Sequence, residues 1–332
     1  VTLISSKHCP ILRICVPSSG VKCDITFNNH LSVRNTELLR TYFRLSSIFE
    51  KSDESTFRNI IIVLKVWLSQ NRLCGIAGNQ INNYALILMI IYFFQRQRYL
   101  PSLQNVSLIW VSSYPKEKPL NILPYTIHGW DCSFLNDLHV INSPLAFPTF
   151  VTTLQQFLQF YTNEFTFSMH VIDIRKGGEV LLTREDKINE LKNYSNSKNS
   201  INNFNHNPIV IQDPFELSHN ITKNVTKKGL AHILHAMTTT LKHVTTKTPC
   251  ENSEKITPPI RPFSLLDIIL SQDLKPQEIN RKYLIICSPI IALNENDFIR
   301  QVLNNLLLLL INRFLSKITS CECYFQKPSN KP

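Results

Sequence analysis

The chain has 332 residues, and its 35 Lys and Arg exceed its 24 Asp and Glu, which gives a formal net charge of +11 at pH 7. This length is enough for about two domains, and a hydrophobic content of 43% excludes a wholly disordered protein. The longest purely apolar run, Tyr84 to Phe94, is shorter than the roughly 20 residues of a membrane-spanning helix. The seven glycines form no dinucleotide-binding or P-loop motif, and the positive charge favours a polyanionic partner such as RNA.

Five regular elements are predicted in the first hundred residues. They are strands over 11–16 and 23–27, and helices over 35–49, 56–71 and 80–98. Asn35 is predicted to cap the first helix, with Glu37 in its first turn. The helix over 56–71 is hydrophobic around nearly its whole circumference and is therefore expected to be buried on most sides.

The rest of the chain alternates between regular and irregular stretches. Helices are predicted over 148–164, 222–244 and 296–317, and strands over 169–175, 208–212 and 282–287. Six prolines make 99–148 irregular, and the Asn- and Ser-rich stretch 189–207 is predicted to be a surface loop. Four prolines in 245–262 indicate a linker, so the last part is expected to form a small separate αβ module.

Three places carry polar residues that could do chemistry, and each also has a structural interpretation. Asp24, in an alternating strand without an obvious local partner, could bind a hard cation or simply be exposed. Tyr84, at the start of a predicted helix, could stack on a base or fill the core. Asp213 fixes a turn because it precedes Pro214, and His219 in the same stretch could contact a base edge or cap the next helix.

Four stretches carry a resemblance to a known family. They are SGVKCDITFNNHLSVRNTELL, VLKVWLSQNRL, NNYALILMIIYFFQ and QDPFELSHNITKNV, in this order. They resemble the template-independent RNA nucleotidyltransferases, the family of terminal uridylyltransferases and of poly(A) polymerases with a PAP-associated domain, over residues 8–110 and 128–244. GWDCSF and the stretch 298–323 are most similar to the branch that uridylates spliceosomal small nuclear RNA, also called the speckle-targeted poly(A) polymerases. The mitochondrial poly(A) polymerases are the rival branch.

The resemblance implies an α+β fold with a mostly helical PAP/OAS1-like substrate-binding domain. Its parts are the last strands of a polymerase-β-like palm over 1–34, the helical domain over 35–244 with its PAP-associated region at about 148–215, a linker over 245–262 and a kinase-associated-like RNA-binding module over 263–325.

The resemblance also implies roles for individual residues. Asp24 matches the third metal-binding carboxylate of the palm, and Asn35 matches the residue that contacts the ribose. Lys65 matches the first basic residue that binds the triphosphate, and Ser69 stands where many relatives carry a second basic residue. Tyr84 matches the aromatic residue that stacks on the nucleobase, Asn83 the polar residue before it, and Asp213 and His219 the pair that selects uracil.

The implied reaction adds UMP from UTP to RNA 3′ ends, by in-line attack of the 3′-hydroxyl on the α-phosphate with two Mg²⁺ or Mn²⁺ ions. The family takes its other two carboxylates from a Gly-Ser loop and an Asp-x-Asp pair, and this chain has neither. We therefore expect a fragment of an active enzyme, with two alternatives: a poly(A) polymerase that uses ATP, or a catalytically dead RNA-binding paralogue.

The implied partners are an RNA 3′ end and a nucleoside triphosphate, without a membrane or an obligate protein partner. The implied compartment is the nucleus, with the mitochondrion as the alternative.

Overall fold

The computed structural model describes most of the first 246 residues. The described ranges are 1–5, 10–15, 22–50, 55–75, 78–105, 122, 124–141, 145–178, 181–192 and 204–246. The predicted C-terminal module over 263–325, including its strand and helix, lies outside them, as does all of the predicted linker after Thr246.

A small antiparallel sheet begins the chain. Its strands are β1 Thr2–Ile4, β2 Ile11–Cys15 and β3 Lys22–Thr26, in the spatial order β1-β2-β3. The prediction of β2 and β3 is confirmed, whereas β1 was not predicted. The register places Arg13 of β2 directly opposite Asp24 of β3, so these two side chains share a face of the sheet.

Long α-helices make up most of the remaining part of the chain that the structure describes, apart from a short helical segment at 204–206. They are α1 His30–Glu50, α2 Thr56–Gln70, α3 Asn83–Arg96, α4 Phe150–Gln159, α5 Arg184–Lys192 and α6 Lys227–Thr246. A π-helical turn, Phe160–Glu164, continues α4. The side chains of Ser55, Asn82 and Thr149 accept hydrogen bonds from the first turns of α2, α3 and α4, which explains where these helices begin.

The predicted start of the first helix is wrong. Helix α1 begins at His30, and the side chain of Asn29 accepts a hydrogen bond from the backbone N–H of Ser32, the contact that a cap makes. Asn35 therefore lies in the second turn. It is three residues before the buried Leu38, on the inward side of the helix, where its side chain can meet other segments.

The strands predicted over 169–175 and 208–212 are reduced to isolated bridges, mainly between Ile172 and Ile211. The central residues of both segments, 171–174 and 209–212, are buried, so their apolar side chains pack in the core rather than on a sheet. Of the loop predicted over 189–207, residues 189–192 belong to α5, 193–203 lie outside the described residues, and 204–206 are helical. Helix α5 was not predicted because its buried face includes Arg184 and Lys187, which interrupt the apolar periodicity. Two two-residue strands, β4 Thr126–Ile127 and β5 Trp130–Asp131, and a 3-10 turn lie in the stretch predicted to be irregular.

Helix α3 forms the centre of the hydrophobic core. Every side chain from Ala85 to Gln95 except Ile87 is buried, and Phe93 and Phe94 make edge-to-face contacts with neighbouring rings. Gln95 donates hydrogen bonds to the hydroxyl of Tyr42 (3.0 Å) and to the carbonyl of Ile174 (2.9 Å), so α3 is fixed to α1 and to the segment before α5. The predicted α+β class is confirmed. Among the described residues, no helix is both long and apolar enough to cross a membrane.

Candidate functional site

Three segments that are distant in sequence meet at the carboxylate of Asp213. The amide of Asn35 in α1 and the hydroxyl of Tyr84 in α3 each donate to Asp213 Oδ2, both at 3.4 Å. Asp213 itself is 6% exposed. The structure therefore brings together three of the residues that the sequence singled out, because Asn35 lies on the inward face of α1 and Tyr84 in the first turn of α3.

The second oxygen of Asp213 holds the turn that follows it. Oδ1 accepts the backbone N–H groups of Phe215 and Glu216, both at 2.9 Å. The backbone N–H of Asp213 donates to the carbonyl of His219 at 3.0 Å and closes the loop. The prediction that Asp213 before Pro214 fixes a turn is confirmed, and the closed loop places His219 in the same structural unit as Asp213.

His219 is about one-third exposed and faces a carboxylate. Its Nδ1 lies 3.7 Å from Glu216 Oε2, and its backbone N–H donates to the Glu216 carbonyl at 2.8 Å. Its Nε2 has no hydrogen-bond partner in the part of the chain that the structure describes. Glu216 was not singled out from the sequence, although its spacing of three residues from His219 within a turn is a signal that could have found it.

Two features of this cluster suit a polar ligand. Burial, and then the neighbouring Asp213 charge, raise the pKa of Tyr84 well above its ordinary value, so the hydroxyl stays protonated and donates at neutral pH. Asn35 Oδ1 is buried and has no hydrogen-bond partner among the described residues. An unpaired buried acceptor is costly, and a hydroxyl donor from a ligand would satisfy it.

The other candidate nucleotide-binding residues make no recorded contact with the Asp213 cluster. Asn83 adjoins Tyr84 in sequence, and its side chain accepts a hydrogen bond from the thiol of Cys74 at 3.4 Å. Lys65 is exposed on α2, and Ser69 follows it one turn later on the same face.

Asp24 has a partner that the sequence interpretation overlooked. The guanidinium of Arg13 donates from Nε and Nη2 to the two oxygens of Asp24, each at 2.7 Å. These contacts raise the pKa of Arg13. The expectation of no local partner failed because the partner is across the sheet rather than nearby in sequence.

The described residues do not form a complete metal site. No group of three or more His, Cys, Asp or Glu side chains within them could hold an ion, and Asp24 is the single candidate carboxylate on the sheet. An open cavity of about 330 Å³ lies where β3 leads into α1, and it includes Thr26, Asn28 and Thr36 but none of the candidate residues.

A segment between β5 and the 3-10 turn contacts residues next to Asn35 and Asp213. Arg34, next to Asn35, donates to the carbonyl of Cys132 at 2.9 Å, and its guanidinium lies 3.9 Å from the centre of the Phe134 ring. Phe134 in turn stacks on Phe215, with ring centres 6.2 Å apart. These contacts join α1 to the Asp213 turn.

Two family models match parts of the chain. Residues 151–219 match the Cid1 family poly A polymerases, and residues 1–44 match the central palm domain of mitochondrial-like poly(A) RNA polymerases. The division of the chain into a palm remnant, a helical domain and a C-terminal module stays a prediction.

Curated relatives come from both predicted branches. The chain is 29% identical to the mitochondrial poly(A) RNA polymerase of Homo sapiens over 231 residues, which cover 69% of this chain and 33% of that protein. It is 27% identical to the speckle targeted PIP5K1A-regulated poly(A) polymerase of Xenopus tropicalis over 234 residues, covering 69% and 25%. The chain thus spans a third or less of these relatives, and the two identities do not separate the branches.

Solved structures show the same fold. The Cid1 poly(U) polymerase described as bound to Mg and 3′-dATP superposes with a TM-score of 0.58 at 20% identity, covering 74% of this chain and 67% of that chain. Cid1 in complex with its short product ApU gives 0.57 at 20% identity, covering 74% and 68%. The family models and the relatives confirm the predicted resemblance, and the solved structures confirm the predicted fold.

Proposed function

We propose that this chain, which carries a Cid1-family PAP-associated domain, is the nucleotide-selecting part of an RNA 3′-terminal nucleotidyltransferase that prefers UTP. The observation that carries the proposal is the convergence of Asn35 and Tyr84 on Asp213, in a turn that also holds His219. A helix start, a helix interior and a polar turn have no structural need for each other's side chains. Binding of a common ligand explains why Asn35, Tyr84 and Asp213 lie together.

The contacts suggest a role for each member of the cluster. The ring of Tyr84 stacks on the base, and Asp213 fixes the ring through the hydroxyl. Asn35 offers its unpaired Oδ1 to a ribose hydroxyl. His219, whose Nδ1 lies 3.7 Å from Glu216 Oε2, presents Nε2 to the edge of the nucleobase. A nucleobase that does not match would leave a polar group unpaired.

Lys65 supplies positive charge for the triphosphate, and Ser69 stands where many relatives carry a second basic residue. Asn83 lies beside the stacked nucleobase. These three assignments rest on the family resemblance and on the positions of the residues on α2 and α3.

A resident Mg²⁺ or Mn²⁺ pair does not fit the described residues. One carboxylate, already held by Arg13, cannot hold two ions, and the sequence contains no Asp-x-Asp. Asp24 is therefore proposed as one metal ligand of a site that needs further carboxylates from elsewhere. The ions would stabilise the attacking and leaving oxygens, and no catalytic step can be assigned to this chain alone.

The proposed partner is the 3′ end of an RNA, in the nucleus or alternatively in the mitochondrion. Two alternatives keep specific support. The names of the matched relatives are those of poly(A) polymerases, which favours ATP as the substrate. The single candidate carboxylate of the sheet favours a paralogue that binds RNA without catalysis.

Sequencing the messenger RNA upstream of the Val1 codon separates an enzyme from a scaffold. We expect an in-frame Gly-Ser followed by Asp-x-Asp, and the protein encoded there should extend an RNA 3′ end with UTP and Mg²⁺. Faster extension with ATP would support the poly(A) polymerase. A translation start immediately before Val1, without transfer by the chain, would support the binding paralogue.

Asp213→Asn is expected to weaken UTP binding by about tenfold with little change in melting temperature. The variant keeps Oδ1 for the turn but replaces Oδ2 with the NH2 group of an amide, which is a donor that faces the donor NH2 of Asn35. Titration calorimetry measures the affinity, and Asp137→Asn, at the cap of the 3-10 turn, is the matched control. Wild-type affinity in Asp213→Asn would show that the cluster does not bind the nucleotide.

Deletion of 263–325 is expected to weaken single-stranded RNA binding by about tenfold and to leave UTP binding unchanged. The prediction follows from the proposed RNA-binding module and from the separation of that stretch from the Asp213 cluster in sequence. The RNA Kd is measured for both chains at about 50 and 200 mM salt, because phosphate contacts make it salt-dependent. An unchanged RNA Kd at both salt concentrations would exclude a binding role for this stretch.

A further inference from the structure

The carbonyl of Pro214, the residue directly after Asp213, is held by two donors from different segments. Gln104 Nε2 donates to it at 2.9 Å and Arg175 Nη1 at 3.2 Å. Neither donor was singled out from the sequence. Both bonds act on the Pro214–Phe215 peptide, whose N–H group donates to Asp213 Oδ1. They therefore restrain the turn that holds the carboxylate.

Arg175 is itself fixed at its backbone and at its side chain. Its backbone N–H donates to Asp173 Oδ1 at 2.9 Å, and Asp173 is 2% exposed. Its guanidinium also donates to the Asp131 carbonyl (3.4 Å) and forms an ion pair with the Asp131 carboxylate (3.5 Å). Arg175 thus joins the buried segment at Asp173 to both β5 and the Asp213 turn.

The restraint matters because the contacts of Asp213 Oδ2 are long. Both bonds to Asn35 and Tyr84 measure 3.4 Å, near the outer limit of a hydrogen bond. A backbone shift of a few tenths of an ångström at residues 213–214 would break them, and Tyr84 would lose its orientation. The position of the turn therefore sets the geometry of the cluster.

We propose that Arg175 and Gln104 are positioning residues for nucleotide selection, acting through the Pro214 carbonyl on Asp213. Neither makes a recorded contact with the other members of the cluster, so they act by placing the turn. This inference rests on the proposed function, since it names residues that tune the same site.

Calorimetric titration of the 332-residue chain with UTP and with ATP tests the inference. Arg175→Ala and Gln104→Met each remove one donor to Pro214, and the second variant changes no charge. We expect each to weaken UTP binding by about fivefold or more and to lower the ratio of UTP to ATP affinity. Arg175→Lys, which keeps the charge and one donor, should recover part of the loss.

Two controls separate positioning from charge and from folding. Lys176→Ala removes the neighbouring exposed charge and should leave both affinities unchanged. Asp131→Asn weakens one anchor of Arg175 but keeps the Pro214 bond, so its effect should be smaller than that of Arg175→Ala. A merely structural role would lower the melting temperature and the fraction of chains that bind, while the affinities of the remaining folded chains would stay the same.

The outcomes distinguish this inference from the proposed function. If the wild-type chain binds UTP and both donor variants keep its affinity and its UTP preference, the positioning role is wrong and the proposed function stands. If the wild-type chain binds neither nucleotide, the proposed function fails and the positioning role fails with it.

Discussion

Lys187→Ala is expected to lower the free energy of unfolding of the chain by about 3–5 kcal/mol, the largest stability effect that we predict. Lys187 Nζ lies 2.7 Å from Asp173 Oδ2, and the two side chains are 1% and 2% exposed. Removing Lys187 leaves the Asp173 charge buried without its ion-pair partner, and the backbone N–H of Arg175 compensates only part of that loss. The same ammonium lies 3.2 Å from Glu190, which remains a weaker neighbour because it is more exposed.

This pair also predicts how stability depends on pH. Burial alone would raise the pKa of Asp173, but the charge and hydrogen bond of Lys187 outweigh it and hold the pKa below its ordinary value of 3.8. The unfolded chain therefore binds this proton more readily than the folded chain does. The contribution of the pair is present above about pH 4 and is lost as the pH falls through the folded-state pKa.

Chemical denaturation at pH 7 and in mild acid measures both effects. Lys192→Ala, which removes an exposed lysine from the same helix, is the matched control and should change the stability by less than about 0.5 kcal/mol. The double variant Lys187→Met with Asp173→Leu should recover much of the loss, since apolar residues can replace a buried pair. Equal effects of Lys187→Ala and Lys192→Ala would show that the buried pair does not stabilise the fold.

His219→Leu is expected to reduce the preference for UTP over ATP by at least about tenfold. Leucine fills a similar volume but offers no ring nitrogen, so the polar edge of uracil would lose its partner, whereas adenine binding would lose less. The turn should persist, because the bonds that close it come from the backbone of His219 and from Asp213. The variant therefore separates base selection from folding.

The ratio of UTP to ATP affinities, taken from calorimetric titrations, is the quantity to measure. His235→Leu changes an exposed histidine on α6 and should leave the ratio as it is in the wild-type chain. An unchanged ratio in His219→Leu, with intact folding, would contradict the assignment of His219.

The sequence predicts the parts of this structure that depend on local patterns. Helices α2 and α3 were predicted to within a few residues because their apolar runs are long. Their caps, Ser55 and Asn82, were found only in the structure. The turn at Asp213 was predicted because proline restricts the residue before it. Local patterns therefore give the elements and place several candidate residues on them.

Contacts between distant segments could not be predicted in the same way. Asparagine is a residue type that often caps helices, which is why Asn35 was predicted to be a cap. Its position inside α1 follows from the start of this helix at His30. The pairing of Asp24 with Arg13 depends on strand register, and the Pro214 contacts of Arg175 and Gln104 depend on packing. The resemblance supplied candidate roles, whereas the structure supplied the supporting residues.

The most direct test of the central claim is the affinity of the wild-type 332-residue chain for UTP and for ATP, measured by titration calorimetry at about 0.15 M ionic strength. A nucleotide-selecting site built from Asn35, Tyr84, Asp213 and His219 predicts saturable binding of one UTP per chain, about tenfold or more tighter than ATP. Tighter binding of ATP would contradict the uridylate preference, and the absence of binding by both nucleotides would contradict the site itself.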